Sequence, residues 1–574
     1  MAVARFGTGS SSMVAARLQA LLAWASSSHA AAAGLLVVAC LLAFLPGFFT
    51  LPPIDRDEAR FAQATKQMLE SGDYIDIRFQ DESRYKKPVG IYWLQAAVVR
   101  TAEAAGMPEA RTRIWLYRIP SLIGAIGGVL LTYWTALAFV SRRAAVLAGL
   151  MMASSILLGV EARLAKTDAM LLATVIAAMG AMGRAYLTER GVREAVEHPW
   201  TQPAIFWTAM AAGFLIKGPL IMMVVGLTIV ALAVVDRSAR FVLRLKPLAG
   251  LAWMLLLVLP WFVAIVVRSG DSFFIESVGR DLLSKVGSGQ EAHFGPPGLY
   301  LLLFWGTFFP AAMLAPMAAQ AVWRTRREPG TAYLLAWLVP TWVVFEAAMT
   351  KLPHYVLPVY PAIAILIALA IDRKALSANI WLRRAPMWWF FLVTAVTVGL
   401  IVVNIMIGQR LGLLTWGFCA AAMITALFAW WLFEADGVEV SFLRAAFAAM
   451  LLSTSAFGAT FATIGNLFPS RQLAQFVDYG GCERPAVATA GFHEPSLVFL
   501  VGTQVQHVGG AGAADYLGVG GPCRYAFIDS RQERSFVQRA DAIGLRYMVG
   551  PRVDGVNISS GRAVSILTFI GGAP

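Results

Sequence analysis

Apolar runs of roughly 20 residues recur from residue 31 to residue 464, with short charged segments between them. No other feature limits the fold so strongly. A helix needs about 20 apolar residues to cross the hydrocarbon core, and a backbone in lipid must satisfy its own hydrogen bonds. Each run is therefore predicted to be a transmembrane helix. Charged side chains make up 14% of the chain, against about 25% in an ordinary soluble domain, so a single water-soluble body is excluded. The expected class is an all-α polytopic membrane protein with a small soluble α/β domain after its last span.

The runs are 31–49, 119–140, 144–160, 169–187, 203–216, 219–235, 248–267, 299–322, 331–349, 356–371, 386–407, 412–434 and 443–464, which makes about thirteen spans. Residues 1–28 are Ala/Ser-rich with Arg5 and Arg17, and with the run after them they resemble a signal-anchor more than a cleaved signal peptide. Those arginines put the start of the first span in the cytoplasm. Counting onward, Arg142-Arg143, the Arg240–Lys246 segment and Arg324–Arg327 all fall inside, as the positive-inside rule asks. Residues 88–104, which include Tyr92 and Trp93, are half-apolar and are predicted to lie in the interface. Counted as a span, they would turn every basic loop outward. The formal net charge of +13 is explained by these loops; no basic groove or motif points to nucleic acid.

An odd number of spans places residues 465–574 outside. This tail has Gly-rich turns and β-type runs at Ala486–Ala490, Leu497–Val501 and Tyr525–Ile528. The expected division is a transmembrane domain at 1–464, with interfacial helices at 58–104, and a tail domain at 465–574. Cys482 and Cys523 can pair if the tail faces an oxidising compartment, although sequence alone does not show contact. Cys40 and Cys419 lie in apolar runs and are expected to be packing residues.

Charged groups outside the basic loops gather at the outer ends of spans. Asp55, Asp57 and Glu58 follow the first span, with Arg60 beside them. Three carboxylates so close can bind a metal, hold an amine or act as a base; they also suit a helix N-terminus. Glu58–Glu70 has Phe61, Ala64, Met68 and Leu69 at helical spacing. Lys86-Lys87-Pro88 offers cations for a phosphate or for lipid headgroups. Glu161, Arg163, Lys166 and Asp168 crowd one short loop, and charge beside a bilayer is costly without a function or a partner. Lys217 stands alone in FLIKGPLIMM. The outer loop 268–298 carries Arg280, a candidate phosphate clamp, and His293, a candidate metal ligand or general acid/base. Lys351, His354 and Tyr355 complete the set around Pro353. Cations that hold phosphate, and acids that handle a sugar, suit a reaction between phosphorylated lipids. A transporter would instead show internal pseudo-symmetry and mid-span charges, and neither is apparent.

The segments DRDEARFAQATKQMLESGDY, RYKKPVGIYWL, ARLAKTDAML, FLIKGPL and TKLPHYVLPVYP, spread over residues 50–360, together resemble bacterial lipid A aminoarabinose transferases. These are membrane glycosyltransferases of the GT-C class, related to protein O-mannosyltransferases. The resemblance implies an undecaprenyl-phosphate-linked 4-amino-4-deoxy-L-arabinose donor and a lipid A phosphate acceptor. It implies transfer at the periplasmic face of the bacterial inner membrane by a monomer, and a less negative lipid A that resists polymyxin and cationic peptides. It gives Asp57, Glu58 and Asp168 the catalytic acid positions, with Asp55 an extra acid nearby. It gives Lys86, Lys87, Lys217, Arg280 and Tyr355 phosphate or lipid contacts, with Arg60, Glu161, Arg163, Lys351 and His354 in the cavity. Lys86 stands where some relatives have a glutamate, so a divalent metal site built from that position and His293 lacks a ligand here. The resemblance singles out no cofactor and leaves a divalent metal open. Related GT-C enzymes with another sugar or a protein acceptor are the alternative.

Overall fold

The computed structural model describes residues 13–54, 56–194, 198–277, 295–407, 412–482, 485–521, 523–558 and 560–572. Every predicted span falls on helix. The helices that frame the site are α1 (Met13–Ala25), α2 (His29–Phe44), α3 (Asp57–Ser71), α4 (Gly90–Ala104), α5 (Ile114–Ala136), α6 (Arg142–Ala153), α7 (Ile156–Ala162), α8 (Asp168–Glu189), α9 (Thr201–Lys217), α10 (Leu220–Asp236) and α11 (Pro247–Ser269). Among the described residues, 8 helices are long and apolar enough to cross a membrane, and up to 10 if each bent pair is one span. The bent pairs are α6 with α7, at 62°, and Leu299–Thr307 with Ala311–Arg324, at 112°. Helices α2 and α10 are apolar but shorter. Helix α1 precedes the first predicted span and was not anticipated; its Ala/Ser-rich sequence carries no strong helical stripe.

The two ends of the bundle differ in chemistry. At one end the basic loops pair with each other's acids. Arg143 meets Glu439 at 2.5 Å, Arg244 meets Glu189 at 2.6 Å and Arg373 meets Glu328 at 2.7 Å, while Ser141 N donates to Asp372 at 2.9 Å. This is the end that the positive-inside rule assigns to the cytoplasm. The other end carries α3, α4 and the tail.

Helix α3 lies where an interfacial helix was expected, and Phe61, Ala64, Met68 and Leu69 are buried as their spacing predicts. Its polar side is covered too. Gln63 and Lys66 are buried because the tail docks over them, and Thr65 is buried against α4, donating to Gln95 Oε1 at 2.7 Å. Lys66 Nζ donates to Phe499 O at 2.8 Å, Gln63 Nε2 donates to Thr503 Oγ1 at 2.8 Å, and Gln80 Nε2 reaches Val505 O at 2.7 Å.

The tail contains a six-stranded mixed sheet, with β1 (Arg78–Phe79) and β2 (Glu82–Ser83) forming a separate small ribbon upstream. Strands β3 (Ala486–Ala490), β4 (Gln506–Val508) and β5 (Arg524–Asp529) pair in parallel, in the order β4-β3-β5. Strand β8 (Arg562–Gly571) runs antiparallel to β5, to β6 (Tyr547–Val549) and to β7 (Val553–Asn557). The α/β expectation for the tail holds, with one correction. Leu497–Val501 is the helix Pro495–Val501, not a strand. A short apolar run does not distinguish the two states, and Pro495 at the first turn favours helix. Cys482 and Cys523 form a disulfide, while Cys40 and Cys419 are free and buried.

Candidate functional site

Five segments deliver charge to one place because their ends are held. Helix α5 crosses α8 closely at Gly124, where an added Cβ would meet Met170 N at 2.6 Å. That crossing brings α5 beside the start of α8, where Asp168 stands. Ser121 of α5 donates to Lys166 O at 3.0 Å and holds the loop ahead of α8. Helix α9 ends at Lys217, where Gly218 takes a positive φ that other residues rarely adopt, so the chain turns at once into α10. Glu161 closes the short α7, and the 3₁₀ turn Pro353–Val359 carries His354 and Tyr355.

The result is a buried network of opposite charges. Lys217 Nζ donates to Asp168 Oδ1 in a close ion pair. Lys166 Nζ lies 3.1 Å from Glu161 Oε1 and 3.8 Å from Asp168 Oδ2. His354 bridges the same acids, with Nδ1 3.6 Å from Glu161 Oε1 and Nε2 3.6 Å from Asp168 Oδ1. Glu161 Oε2 is buried and has no hydrogen-bond partner among the described residues. Lys217 Nζ also sits 5.5 Å from the centre of the Tyr355 ring, a cation–π distance. Burial opposes the charge on Lys166, but the Glu161 and Asp168 carboxylates outweigh it and hold its ammonium above the usual lysine range.

Asp57 opens α3 at the mouth of this network and is exposed. Burial of its surroundings opposes ionisation, yet the fields of Lys166 and Arg84 prevail, and its carboxyl lies below the ordinary aspartate range. Among the described residues it makes no hydrogen bond, so it is open to a ligand. Arg84 carries no site role in the sequence reading, whereas Lys166 belongs to the charged loop 161–168 that the sequence singles out.

Glu58, expected as a catalytic acid, and Arg163, expected in the cavity, are both taken up by contacts within the fold. Glu58 is buried, with both oxygens engaged. Its Oε1 accepts from Arg118 Nε at 2.7 Å and Ala165 N at 2.9 Å, while Oε2 accepts from Arg118 Nη2 at 2.9 Å and Ile54 N at 2.8 Å. Arg118 also donates to Phe48 O, Leu51 O and Pro52 O. This pair ties the first loop to the segment before Asp168. Arg163 is buried in a cage of carbonyls, including Pro46 O at 2.7 Å, and its guanidinium lies 4.5 Å from the centre of the Phe457 ring. It joins α7 to the end of α2 and to the last span.

Lys351 is buried and donates to Ala348 O at 2.5 Å, which caps the preceding helix. Arg60 is half-buried on α3, with no side-chain bond among the described residues. Lys86 is exposed and Lys87 is half-buried, with Lys87 Nζ donating to Lys86 O at 3.0 Å. Asp55, Arg280 and His293 lie outside the described residues.

Glu161, Asp168 and His354 offer metal-ligand atoms within 4.8 Å of one another. Two carboxylates and an imidazole would suit a divalent ion. The same carboxylates, however, already face the ammonium groups of Lys166 and Lys217, which supply the positive charge that an ion would bring.

Comparison with known proteins bears out the resemblance drawn from the motifs. Residues 58–272 match the family described as dolichyl-phosphate-mannose-protein mannosyltransferase. An undecaprenyl phosphate-alpha-4-amino-4-deoxy-L-arabinose arabinosyl transferase from Erwinia tasmaniensis is 28% identical over 335 residues, 56% of this chain and 57% of that protein. Its namesake from Pseudomonas aeruginosa is 29% identical over 356 residues, 60% of this chain and 61% of the relative. The matched region thus spans less than two thirds of either relative. The crystal structure of ArnT from Cupriavidus metallidurans in the apo state superposes with a TM-score of 0.73 at 20% identity, covering 94% of this chain and 97% of that one. The same protein bound to undecaprenyl phosphate gives 0.71 at 21% identity, covering 93% and 97%. These superpositions establish the fold.

Proposed function

We propose that this chain is an integral membrane glycosyltransferase of the bacterial inner membrane. It moves 4-amino-4-deoxy-L-arabinose from undecaprenyl phosphate to a phosphate of lipid A, at the periplasmic face, as a monomer. Residues 1–464 carry the chemistry and residues 465–574 form the periplasmic domain that braces α3. The modified lipid A is less negative, which favours resistance to polymyxin and cationic peptides. The observation that carries this reading is the convergence of the 161–168 stretch, with Glu161, Lys166 and Asp168, on Lys217 and His354 from two other segments, with Asp57 at its edge. The disulfide of the tail favours an oxidising compartment for that end of the molecule.

In the reaction, an oxygen of the lipid A phosphate attacks the sugar C1. The C1–O bond to undecaprenyl phosphate breaks, and undecaprenyl phosphate leaves with the electron pair. The attacking phosphate is already ionised at neutral pH, so no strong base is needed. The barrier lies in the positive charge that grows on the sugar ring and in the departing phosphate. A phosphate that enters beside Lys217 replaces Asp168 as its counter-ion and frees that carboxylate to face the ring. Lys87 and Tyr355 border the phosphate. Asp57, ionised and without a protein hydrogen bond among the described residues, holds the sugar ammonium. The unpartnered Glu161 Oε2 accepts a sugar hydroxyl. Arg280 remains a proposed phosphate clamp.

Membranes containing the protein are incubated with polyprenyl-phosphate aminoarabinose and lipid A, and the lipid product is weighed. One added aminopentose per modified phosphate is expected, and its loss in Asp168→Asn. The match to protein mannosyltransferases favours a second reading, a different sugar or a protein acceptor. Transfer from polyprenyl-phosphate mannose to peptide, with lipid A unmodified, would select it and overturn the first.

A further inference from the structure

Two cavities adjoin each other outside the acidic network, the first of them at the basic end of the bundle. The first, about 410 Å³, is lined by Arg324, Thr325, Gln320, Ser377 and Arg373 among others. The second, about 350 Å³, is an apolar groove between the helices Ala315–Arg324, Pro329–Ala347 and Tyr360–Asp372, walled by side chains such as Leu335, Val339, Val343 and Ile363. Val322 and Leu366 belong to both walls, so the polar chamber adjoins the groove.

Exposed Trp323 and Trp381 flank the polar chamber, and tryptophan favours the headgroup level. From Leu335 to Val343 the groove follows its helix for roughly 12 Å, and Leu301 and Phe304 of the helix Leu299–Thr307 continue its wall toward the other end of the bundle, so it offers an acyl chain a path into the bilayer. The charge is one-sided. Arg324 is exposed and makes no hydrogen bond or ion pair among the described residues. Arg327 and Lys374 are exposed neighbours, and Arg326 stacks over Trp323 with its guanidinium 4.3 Å from the ring centre. The nearby acids are taken: Glu328 by Arg373 and Asp372 by Ser141.

The geometry points to a binding site for one anionic phospholipid of the cytoplasmic leaflet. Its phosphate lies against Arg324 and Arg373, Gln320 offers hydrogen bonds to the headgroup, and an acyl chain enters the groove past Val322. A zwitterionic lipid would fill the groove equally well but would bring an ammonium to a cationic chamber. Basic pockets between helices at this level select anionic headgroups, and each nearby cation adds to the preference.

The test uses the full-length protein, exchanged through detergent and offered phosphatidylglycerol or phosphatidylethanolamine, with retained lipid counted by native mass spectrometry. One phosphatidylglycerol per protein is expected, favoured about tenfold over phosphatidylethanolamine. Arg324→Glu and Ala319→Trp, both at exposed lining positions, should abolish retention at unchanged Tm, whereas Arg240→Glu on another basic loop should not. Equal retention of the two lipids by the wild type, survival of the bound lipid in Arg324→Glu, or equal loss in Arg240→Glu would each overturn the site. If a variant fails to fold, phosphatidylglycerol with a photoreactive acyl chain gives the answer on the wild type. Labelling must then fall on the helices bearing Val322 and Leu366, and labelling elsewhere rejects the proposal. None of these readouts depends on glycosyl transfer.

Discussion

Lys166 holds two acids apart electrically. Its ammonium lies 3.1 Å from Glu161 and 3.8 Å from Asp168, where a bound cation would otherwise be placed. Lys166→Met leaves both carboxylates with only Lys217 and His354 for company. Removing one partner from a buried ion pair costs about 3–5 kcal/mol, so a clear fall in Tm is expected. The emptied position should then accept a divalent ion on Glu161, Asp168 and His354. Adding zinc to Lys166→Met should recover part of the lost Tm, while the wild type should not respond. A wild-type shift as large as the variant's would show that the lysine does not fill a cation position. Asp57 allows a second test. Its folded pKa lies below the unfolded value, so its contribution to stability is present above ~3.9 and is lost as pH falls through the folded value. The Tm gap between wild type and Asp57→Asn should therefore be constant between about pH 5 and 8 and should close under stronger acid. A gap that grows toward acid would reverse the sign and remove the field of Lys166 and Arg84 as its cause.

At the scale of elements, the pair of Glu58 and Arg118 decides where α3 begins. The pair joins the loop before α3, the start of α5 and the backbone at Ala165. Glu58→Ala should leave Arg118 as a buried unpaired charge and cost about 3–5 kcal/mol, while Glu58→Met with Arg118→Met should cost much less than the sum of the single changes. Additive Tm losses across that cycle would mean the two side chains act independently. The cycle also marks how far sequence could reach. Charges at the ends of spans were legible, because a bilayer makes them costly unless they have partners or a role. That reasoning found Asp57, Asp168, Lys217 and His354. It could not separate Glu58 from Asp57, since adjacent helix residues point in different directions and only the fold shows that Glu58 meets Arg118. Arg163 is illegible for the same reason: apart from Gly159 O nearby, its partners are carbonyls of Ala43 and Pro46 and the hydroxyl of Ser453, all more than 100 positions away, and such acceptors leave no trace in a motif. The run Leu497–Val501 failed on a shorter scale, where apolar content alone carries no period.

For the molecule as a whole, the decisive property is which end faces which compartment. Short loops rich in Arg pair with acids at one end, and the buried network, α3 and the disulfide-bearing tail share the other. A bundle with these two ends has one electrically sensible orientation, with the basic loops in the cytoplasm. Native cysteines do not interfere with a direct measurement, because Cys40 and Cys419 are buried and Cys482 is bonded to Cys523. Single cysteines are placed at the exposed positions Lys86 and Arg327. A membrane-impermeant maleimide applied to intact spheroplasts should label Lys86→Cys at once, and Arg327→Cys only after the membrane is opened. The opposite pattern would put the network in the cytoplasm, where a donor sugar facing the periplasm could not reach it. Labelling of both in intact spheroplasts would mean that an even number of segments separates the two positions, and the count of crossings between residues 86 and 327 would have to change.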